Sequence, residues 1–353
     1  MRLEPRAQTP LWLWLAAPLA ALAFTLAVTS LLVAWAGAPV GRAYGLLLAG
    51  GFGSRFAWTE TLTRATPLIL TGLSVAVAFR ARLYNIGAEG QLYLGALAAV
   101  AVGGLHGGTG WAMPSSLLFP LMIAAAALAG ALLLLVPAWL KVRFGVDEVV
   151  TTLLLNFIVL LLVSAMLDGP MKDPSALGWP QSVAIADPLQ LSKLIPRSRV
   201  HSGLLAALAL AVALALMLRH TTLGFEIRAL GANARAAAFA GMPVRAVMWK
   251  VALLSGALAG LAGAVEVAGR AGYVTLDMSP GYGYSGIVVA MLAALHPIGV
   301  VAAAVFVAGV LVGADSMSRA VGVPTYIADV ITAVALVAVL VAALGVRWRV
   351  RWR

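Results

Sequence analysis

One polar stripe interrupts an otherwise apolar stretch of the chain. Glu148, Thr152 and Asn156 recur at intervals of four residues, and Thr151 lies beside them. Residues four apart share one face of a helix, so these side chains would form a row. Such a row inside an apolar helix suits two roles: lining a path for a neutral polar solute, or hydrogen-bonding to a neighbouring helix. The sequence is compatible with both.

The stretch Tyr84–Gly95, YNIGAEGQLYLG, is a second place where polar groups adjoin apolar runs. Its polar side chains are Asn85, Glu89 and Gln91. Irregular backbone at membrane depth is tolerated only where protein or water supplies hydrogen bonds, so the stretch could be a hinge or a break that lines a conduit. For Glu89 itself we favour an ion pair with Arg80 or Arg82, at the end of the preceding run.

Residues for covalent chemistry are missing. The chain has no cysteine, which excludes disulfides and thiol catalysis, and it has no G-x-x-x-x-G-K-[ST] loop for a nucleotide. The four histidines lack metal-ligand spacing: His106, His201, His220 and His296. We therefore expect no catalytic residue, no metal and no cofactor on this chain.

Small residues cluster in the run Val251–Ala268. Gly256 and Gly260 have the spacing of close-packed membrane helices. Near the end of the run, Glu266 precedes Arg270 by four residues, which predicts an ion pair on one helix face.

The composition is that of a helical integral membrane protein. Hydrophobic residues make up 62% of the 353 residues and charged residues only 10%, against about 25% charged in soluble domains. The apolar runs are long and do not alternate, unlike the strands of a barrel. We predict an all-α fold of about ten transmembrane helices in one transmembrane domain, residues 1–353. The first run, Leu11–Ala36, exceeds the about 7–15 residues of a signal peptide's apolar region, so it is read as a retained span.

The basic residues fix a predicted orientation. The net charge of +11 comes mainly from Lys and Arg at the ends of apolar runs, which indicates membrane topology rather than nucleic-acid binding. The cytosolic parts are predicted to be residues 1–10, 219–250 and 345–353, with a Pro-rich external loop at 169–202.

Two stretches share a pattern of apolar helix, glycine-rich break and apolar helix. They are Pro67–Leu97 and Val251–Leu292, and the second break contains GYGYSG at Gly281–Gly286. On the predicted topology the two breaks face opposite sides, which is the arrangement of an inverted repeat.

The basic loop at 219–250 contains a helix signature of its own. Asn233 is a good N-cap for a short helix Ala234–Ala240, which Gly241 and Pro243 would end. We interpret this loop as a docking element for a cytosolic protein. An ordinary positive loop between spans would explain its charge equally well.

Four segments carry a family resemblance: LYNIGAEGQLYLGA (83–96), GVDEVVTTLLLNFI (145–158), TLGFEIRALGANARAAAFAGM (222–242) and GYGYSGIVVAMLAALHPIG (281–299). With them the chain resembles permease subunits of bacterial ABC importers of the ribose, simple-sugar and nucleoside type, and it is most similar to the nucleoside branch with its guanosine importers. Asp147, where such permeases often have Asn, and the Ala293-Ala294 pair depart from the family pattern, which leaves substrate preference open.

The resemblance implies a location in the plasma membrane of a bacterial cell, and it implies partners. The short helix would be a coupling helix on an ABC ATPase subunit, which would bind the ATP and Mg. The residues implied in this contact are Glu226, Arg228, Gly231, Asn233, Arg235, Ala237 and Gly241. A second permease, giving a heterodimer, would complete the conduit, and an external substrate-binding lipoprotein would deliver the solute.

The expected function is that of a permease subunit for a neutral polar solute, first a nucleoside, otherwise a pentose or hexose. The candidate path residues are Asn85, Glu89, Gln91, Thr151, Thr152 and Asn156. The inverted-repeat pattern keeps a self-sufficient secondary transporter as the alternative.

Overall fold

The computed structural model of the protein describes residues 2–5, 11–104, 113–322 and 348–351, with isolated positions between 326 and 342. Most of the span expected at 326–344 lies outside the described residues, as do His106 and parts of the expected cytosolic ends at 1–10 and 345–353.

The described residues are mostly helical. In chain order the helices are α1 (Leu11–Trp35), α2 (Val40–Phe52), α3 (Arg55–Arg80), α4 (Ala88–Gly103), α5 (Ser115–Phe144), α6 (Glu148–Asp168), α7 (Gly203–His220), α8 (Thr222–Ala232), α9 (Ala234–Phe239), α10 (Val244–Glu266), α11 (Tyr282–Leu292) and α12 (Pro297–Val321). A π-helical turn, Val267–Ala271, continues α10. The two strands are β1 (Arg2–Pro5) and β2 (Trp348–Arg351).

Fewer helices than expected are long enough to cross a membrane. Within the described ranges six helices qualify: α3, α5, α6, α7, α10 with its π-helical turn, and α12. A seventh span arises if the pair Ala23–Trp35 and Val40–Phe52, bent by 115°, is counted as one. The prediction of about ten is not confirmed. One reason is that α4 and α11 have only 16 and 11 residues, so they extend about 24 and 17 Å, against about 30 Å of hydrocarbon.

The chain divides into two compact units, and the first comprises Met1–Thr61 and Phe306–Arg353. Its buried core contains Val33, Ala38, Ala43, Leu47 and Met317. The bend between α1 and α2 occurs at Gly37, whose φ of +76° suits a residue without a Cβ. β1 and β2 pair antiparallel, with Arg2 opposite Arg351.

The second unit, Leu62–Val305, is organised around a seam of glycines between α4, α5 and α10. A Cβ on Gly256 would lie 2.3 Å from the carbonyl oxygen of Gly130, and one on Gly260 would lie 2.2 Å from that of Ala126. A Cβ on Gly95 would lie 2.3 Å from the carbonyl oxygen of Gly260. These helices therefore touch through their backbones, and the close packing predicted at Gly256 and Gly260 is confirmed.

The loop at 169–202 lies against the end of α10. The amides of Ser182 and Ile185 donate to the carbonyls of Val274 and Gly272, at 3.0 and 2.8 Å. The amide of Leu191 donates to Ala268 at 2.8 Å. Three backbone contacts therefore fasten this loop to the segment that follows α10.

His201 ends that loop in a buried position. Its side chain is 1% exposed, and neither ring nitrogen has a hydrogen-bond partner among the described residues. A Cβ on Gly269 would lie 2.4 Å from its Nε2, so the imidazole packs directly on the π-helical turn. Burial lowers the pKa of His201 to about 4.

The docking of this loop should weaken in acid. In the undocked loop the pKa of His201 would be near 6.5. The contribution of the neutral, buried histidine to docking is therefore fully present above pH 6.5 and is lost as the pH falls towards 4. The full difference corresponds to about 3 kcal/mol. Hydrogen exchange of the amides of Leu191 and Ser202, corrected for intrinsic rates, should show weaker protection at pH 5 than at pH 7.5. The variant His201→Leu should lose this dependence; an unchanged dependence would assign it to other groups.

Candidate functional site

The polar stripe on α6 binds the non-helical segment between α3 and α4. The amide of Tyr84 donates to Oε1 of Glu148 at 3.1 Å, and the amide of Ile86 donates to Oγ1 of Thr152 at 3.2 Å. Because residues 81–87 are not helical, some of their backbone groups need partners from other elements, and α6 supplies them for the amides of Tyr84 and Ile86. Lys141 adds an ion pair to Glu148.

Asn156 completes this clamp and links it to α11. Its Nδ2 donates to the carbonyl oxygen of Ile86 at 3.0 Å and to the hydroxyl of Tyr284 at 3.1 Å. Its Oδ1 accepts from the amide of Gly90 at 2.8 Å. In this structure Asn156 therefore hydrogen-bonds to the neighbouring helices α4 and α11, which is one of the two roles open for the stripe, and Thr152 bonds to the break. A role of either residue in a solute path stays a prediction. The hydroxyl of Thr151 instead bonds to its own helix at Asp147.

Asn85 and Gln91 face each other in a buried cluster. Asn85 Nδ2 donates to Gln91 Oε1, and Gln91 Nε2 donates to Asn85 Oδ1, both at 2.9 Å. Asn85 Nδ2 also lies 3.1 Å from the hydroxyl of Ser255 on α10, which lies 3.0 Å from that of Ser74 on α3. All four residues are at most 1% exposed. The cluster thus joins α3, α4 and α10 around the break.

The ion pair predicted between Glu89 and Arg80 or Arg82 is wrong. Oε2 of Glu89 accepts from the amide of Gly283 at 2.5 Å. The reason is geometric: the start of α4 faces the start of α11 rather than the end of α3. The guanidinium of Arg80 donates instead to the carbonyl of Leu295 at 3.1 Å.

The two short helices therefore converge at their N-termini. A Cβ on Gly283 would lie only 2.1 Å from the amide nitrogen of Glu89. The first turn of a helix leaves its N–H groups without helical partners and carries partial positive charge, and the carboxylate of Glu89 lies where both meet. Short helices that meet in this way are a recurring feature of transporter binding sites. The inverted repeat itself stays a prediction.

Further buried polar groups surround this junction. Glu266, 1% exposed, pairs with Arg270 as its spacing predicts. The hydroxyl of Tyr282 is buried without a hydrogen-bond partner in the part of the chain that the structure describes. The hydroxyl of Tyr93 donates to the carbonyl of Leu276 at 2.5 Å. The sequence analysis did not identify either tyrosine as part of the site, because the sequence around an aromatic residue in an apolar helix does not indicate its hydrogen-bond partner.

The predicted capped helix is present as α9. The side chain of Asn233 accepts from the amides of Arg235 and Ala236 at 3.0 and 3.1 Å, which confirms the N-cap. The helix ends one residue earlier than predicted, at Phe239, and Gly241 follows with a φ of +80°. Ala237 is its one buried residue.

The other residues implied in ATPase contact have different environments. Gly231 lies against the end of α3, since a Cβ there would lie 1.8 Å from the carbonyl oxygen of Arg80. Arg228 turns back to donate to the carbonyl of Leu218 on α7. Glu226 is half-buried, and Arg235 is exposed. Phe239, which sequence reasoning missed, is 96% exposed on α9.

Comparison with known proteins identifies the family. The family described as branched-chain amino acid transport system, permease component, matches residues 57–340. The glucose ABC transporter permease protein of Haloferax volcanii is 38% identical, covering 99% of this chain and 93% of that protein. The guanosine ABC transporter permease protein of Bacillus subtilis is 38% identical over 90% of each chain. The nucleoside ABC transporter permease protein of Lactococcus lactis is 32% identical over 81% of this chain and 80% of its own. The resemblance to ABC permeases of the sugar and nucleoside type is thereby confirmed, and the chain belongs to this family of transport-system permease components.

Proposed function

We propose that this chain is the permease subunit of an ABC importer and forms the route for a neutral polar solute. The observation that carries the proposal is α9, a short capped helix whose surface is exposed except at Ala237. A helix of six residues has too little apolar contact to be stable for its own sake, so it is suited to insertion into a partner. ATP and Mg would bind to a separate ATPase subunit.

The preferred solute is a nucleoside, with a pentose or hexose as the alternative. Relatives named for guanosine, nucleosides and glucose support this range. The buried groups around the break are mostly amides and hydroxyls, such as Asn85, Gln91 and Asn156, which hydrogen-bond to uncharged solutes.

The proposed route passes the junction of α4 and α11. Its residues would be Asn85, Glu89, Gln91, Thr151, Thr152 and Asn156. In this conformation the amides of Asn85 and Gln91 are engaged with each other, so a solute would have to separate them. Thr151 has the weakest support, because its hydroxyl is engaged within α6.

The proposed assembly contains the ATPase, a second and different permease chain, and an external substrate-binding lipoprotein. The chain would lie in the plasma membrane of a cell. The loop at 219–250 and both chain ends would be on the cytosolic side, and the loop at 169–202 would be on the external side. The pairing of β1 with β2 supports a common side for the two ends.

Reconstitution tests this function. Proteoliposomes containing the full complex, with ATP on the side of α9, should accumulate labelled guanosine, and excess unlabelled nucleoside should compete better than glucose or ribose. Liposomes with this chain alone and a proton or sodium gradient should accumulate nothing. Accumulation by the chain alone would overturn the ABC proposal and establish a secondary transporter, whereas preferential competition by a sugar would change only the solute.

A further inference from the structure

A basic cavity lies beside α8, away from the junction of α4 and α11. Its volume is about 360 Å³, and it is formed by the end of α3, the ends of α7 and α8, and the start of α12. Five of its ten lining residues are basic or imidazole side chains: Arg80, Arg219, His220, Arg228 and His296.

The charge of this cavity is not balanced by the protein. No carboxylate is among the lining residues, and none of its three arginines forms an ion pair within the part of the chain that the structure describes. Arg80 and Arg228 lie close enough to repel each other. Each uses one donor on a backbone carbonyl, that of Leu295 and that of Leu218, which fixes the guanidinium and leaves further N–H donors. Fixed, unneutralised guanidinium groups are the usual receptors of phosphate.

The fold holds α8 in place to bring these charges together. A Cβ on Gly231 would lie 1.8 Å from the carbonyl oxygen of Arg80, so α8 presses on the end of α3. A Cβ on Gly224 would lie 2.4 Å from that of Met217, so α8 also presses on the end of α7. The hydroxyl of Thr221 caps α8 at the amide of Gly224. Backbone contacts therefore fix the position of α8 against α3 and α7, and with it the backbone from which Arg228 extends.

Apolar side chains flank the charges on one side. Leu216 of α7 is 54% exposed and Ile298 of α12 is 45% exposed, and both line the cavity. The exposure of Leu216 continues along α7 at Val212 and Leu205. A ligand that fits carries a phosphate for the arginines and hydrocarbon for this apolar strip, which a free anion lacks.

We propose that this cavity binds the phosphate headgroup of an anionic membrane phospholipid, whose acyl chains lie along Leu216 and Ile298. Basic pockets between membrane helices commonly bind such headgroups. A bound headgroup removes the repulsion between Arg80 and Arg228 and ties α3, α7 and α8 together beside α9. The inference depends only on the membrane location of the chain and not on the proposed solute or partner.

Thermal unfolding of the full chain in lipid nanodiscs tests the proposal. Nanodiscs of phosphatidylcholine alone are compared with nanodiscs containing phosphatidylglycerol or cardiolipin, and native mass spectrometry counts retained lipid. Anionic lipid should raise the Tm of the unsubstituted chain by several degrees, with one or two lipids retained. The double variant Arg219→Gln with Arg228→Gln should lose most of this rise. The control Arg143→Gln with Arg245→Gln removes the same charge from exposed positions outside the cavity and should keep it.

Three outcomes would overturn the assignment. Equal loss in both double variants would indicate surface charge alone. An equal Tm rise from millimolar inorganic phosphate in phosphatidylcholine nanodiscs would indicate a free-anion site. If the Tm of the unsubstituted chain did not respond to anionic lipid, the basic side chains would instead be assigned to binding an acidic partner protein. If the double variant does not fold, Arg219→Gln alone decides, because that exposed side chain makes no hydrogen bond or ion pair among the described residues.

Discussion

Gly260→Leu is expected to abolish the accumulation of folded protein. A Cβ at this position would lie 2.2 Å from the carbonyl oxygen of Ala126 and 3.2 Å from the Cα of Gly130. Overpacking in a core typically costs about 1–3 kcal/mol, and here the obstacle is backbone, which no rotamer change can move. The loss of folding free energy should therefore exceed that range. It would remove much of the net stability of a native fold, which is about 5–15 kcal/mol.

The matched control is Gly45→Leu. Gly45 also lies in a helix, and a Cβ there meets nothing within 4 Å. The same substitution should be neutral or slightly stabilising at this position, because leucine has a higher helix propensity than glycine. Size-exclusion yield and Tm of the two variants measure the difference, with Gly260→Ala as an intermediate step. Similar behaviour of Gly260→Leu and Gly45→Leu would show that the seam is not close-packed in the membrane.

The double variant Arg235→Glu with Phe239→Asp is expected to abolish ATP-dependent uptake while leaving the chain folded. Both side chains are exposed on α9, and Phe239 is 96% exposed, so their loss should cost little stability. On the proposed function they supply the charge and the apolar anchor that a partner subunit binds, and buried aromatic and arginine anchors dominate such interfaces. Losing two anchors of about 2 kcal/mol each would weaken binding by roughly a thousandfold.

Three measurements separate coupling from folding. Uptake in proteoliposomes should fall to background, and co-purification of the ATPase should be lost, while the Tm of the isolated chain stays unchanged. The conservative double variant Arg235→Lys with Phe239→Leu should keep most of the uptake and most of the binding to the ATPase. Normal uptake by Arg235→Glu with Phe239→Asp would show that α9 does not form the coupling contact. Arg228 is left out of this test because its guanidinium is engaged at the cavity beside α8.

Local chemistry explains which features could be predicted from the sequence. The cap at Asn233, the ion pair of Glu266 with Arg270, and the close packing at Gly256 and Gly260 are all defined by neighbours within a few residues. Spacing rules for helices describe such contacts directly. The same rules identified Thr152 and Asn156 as one polar face.

Long-range contacts explain what could not be predicted. Glu89 binds the amide of Gly283, 194 residues away, and no spacing rule connects the two. Its arginine neighbours in sequence were the obvious partners, yet the chain turns between α3 and α4 and separates them. Hydropathy likewise registers α4 and α11 as apolar segments, and the sequence before His296 is already short for a span, but the final lengths of 16 and 11 residues depend on where the chain turns. The exposure of Phe239 depends on which face of α9 packs, which composition alone does not determine.

The clamp between α6 and the break has a consequence for mutational tolerance. Glu148 and Thr152 contact Tyr84 and Ile86 through main-chain amides, and Asn156 contacts main-chain atoms as well. A hydrogen bond to a main-chain group does not depend on which side chain the partner residue carries. Any residue except proline should therefore be tolerated at position 86, whereas positions 152 and 156 admit few replacements. At position 84 the ring of Tyr84 also packs edge-on against Phe79.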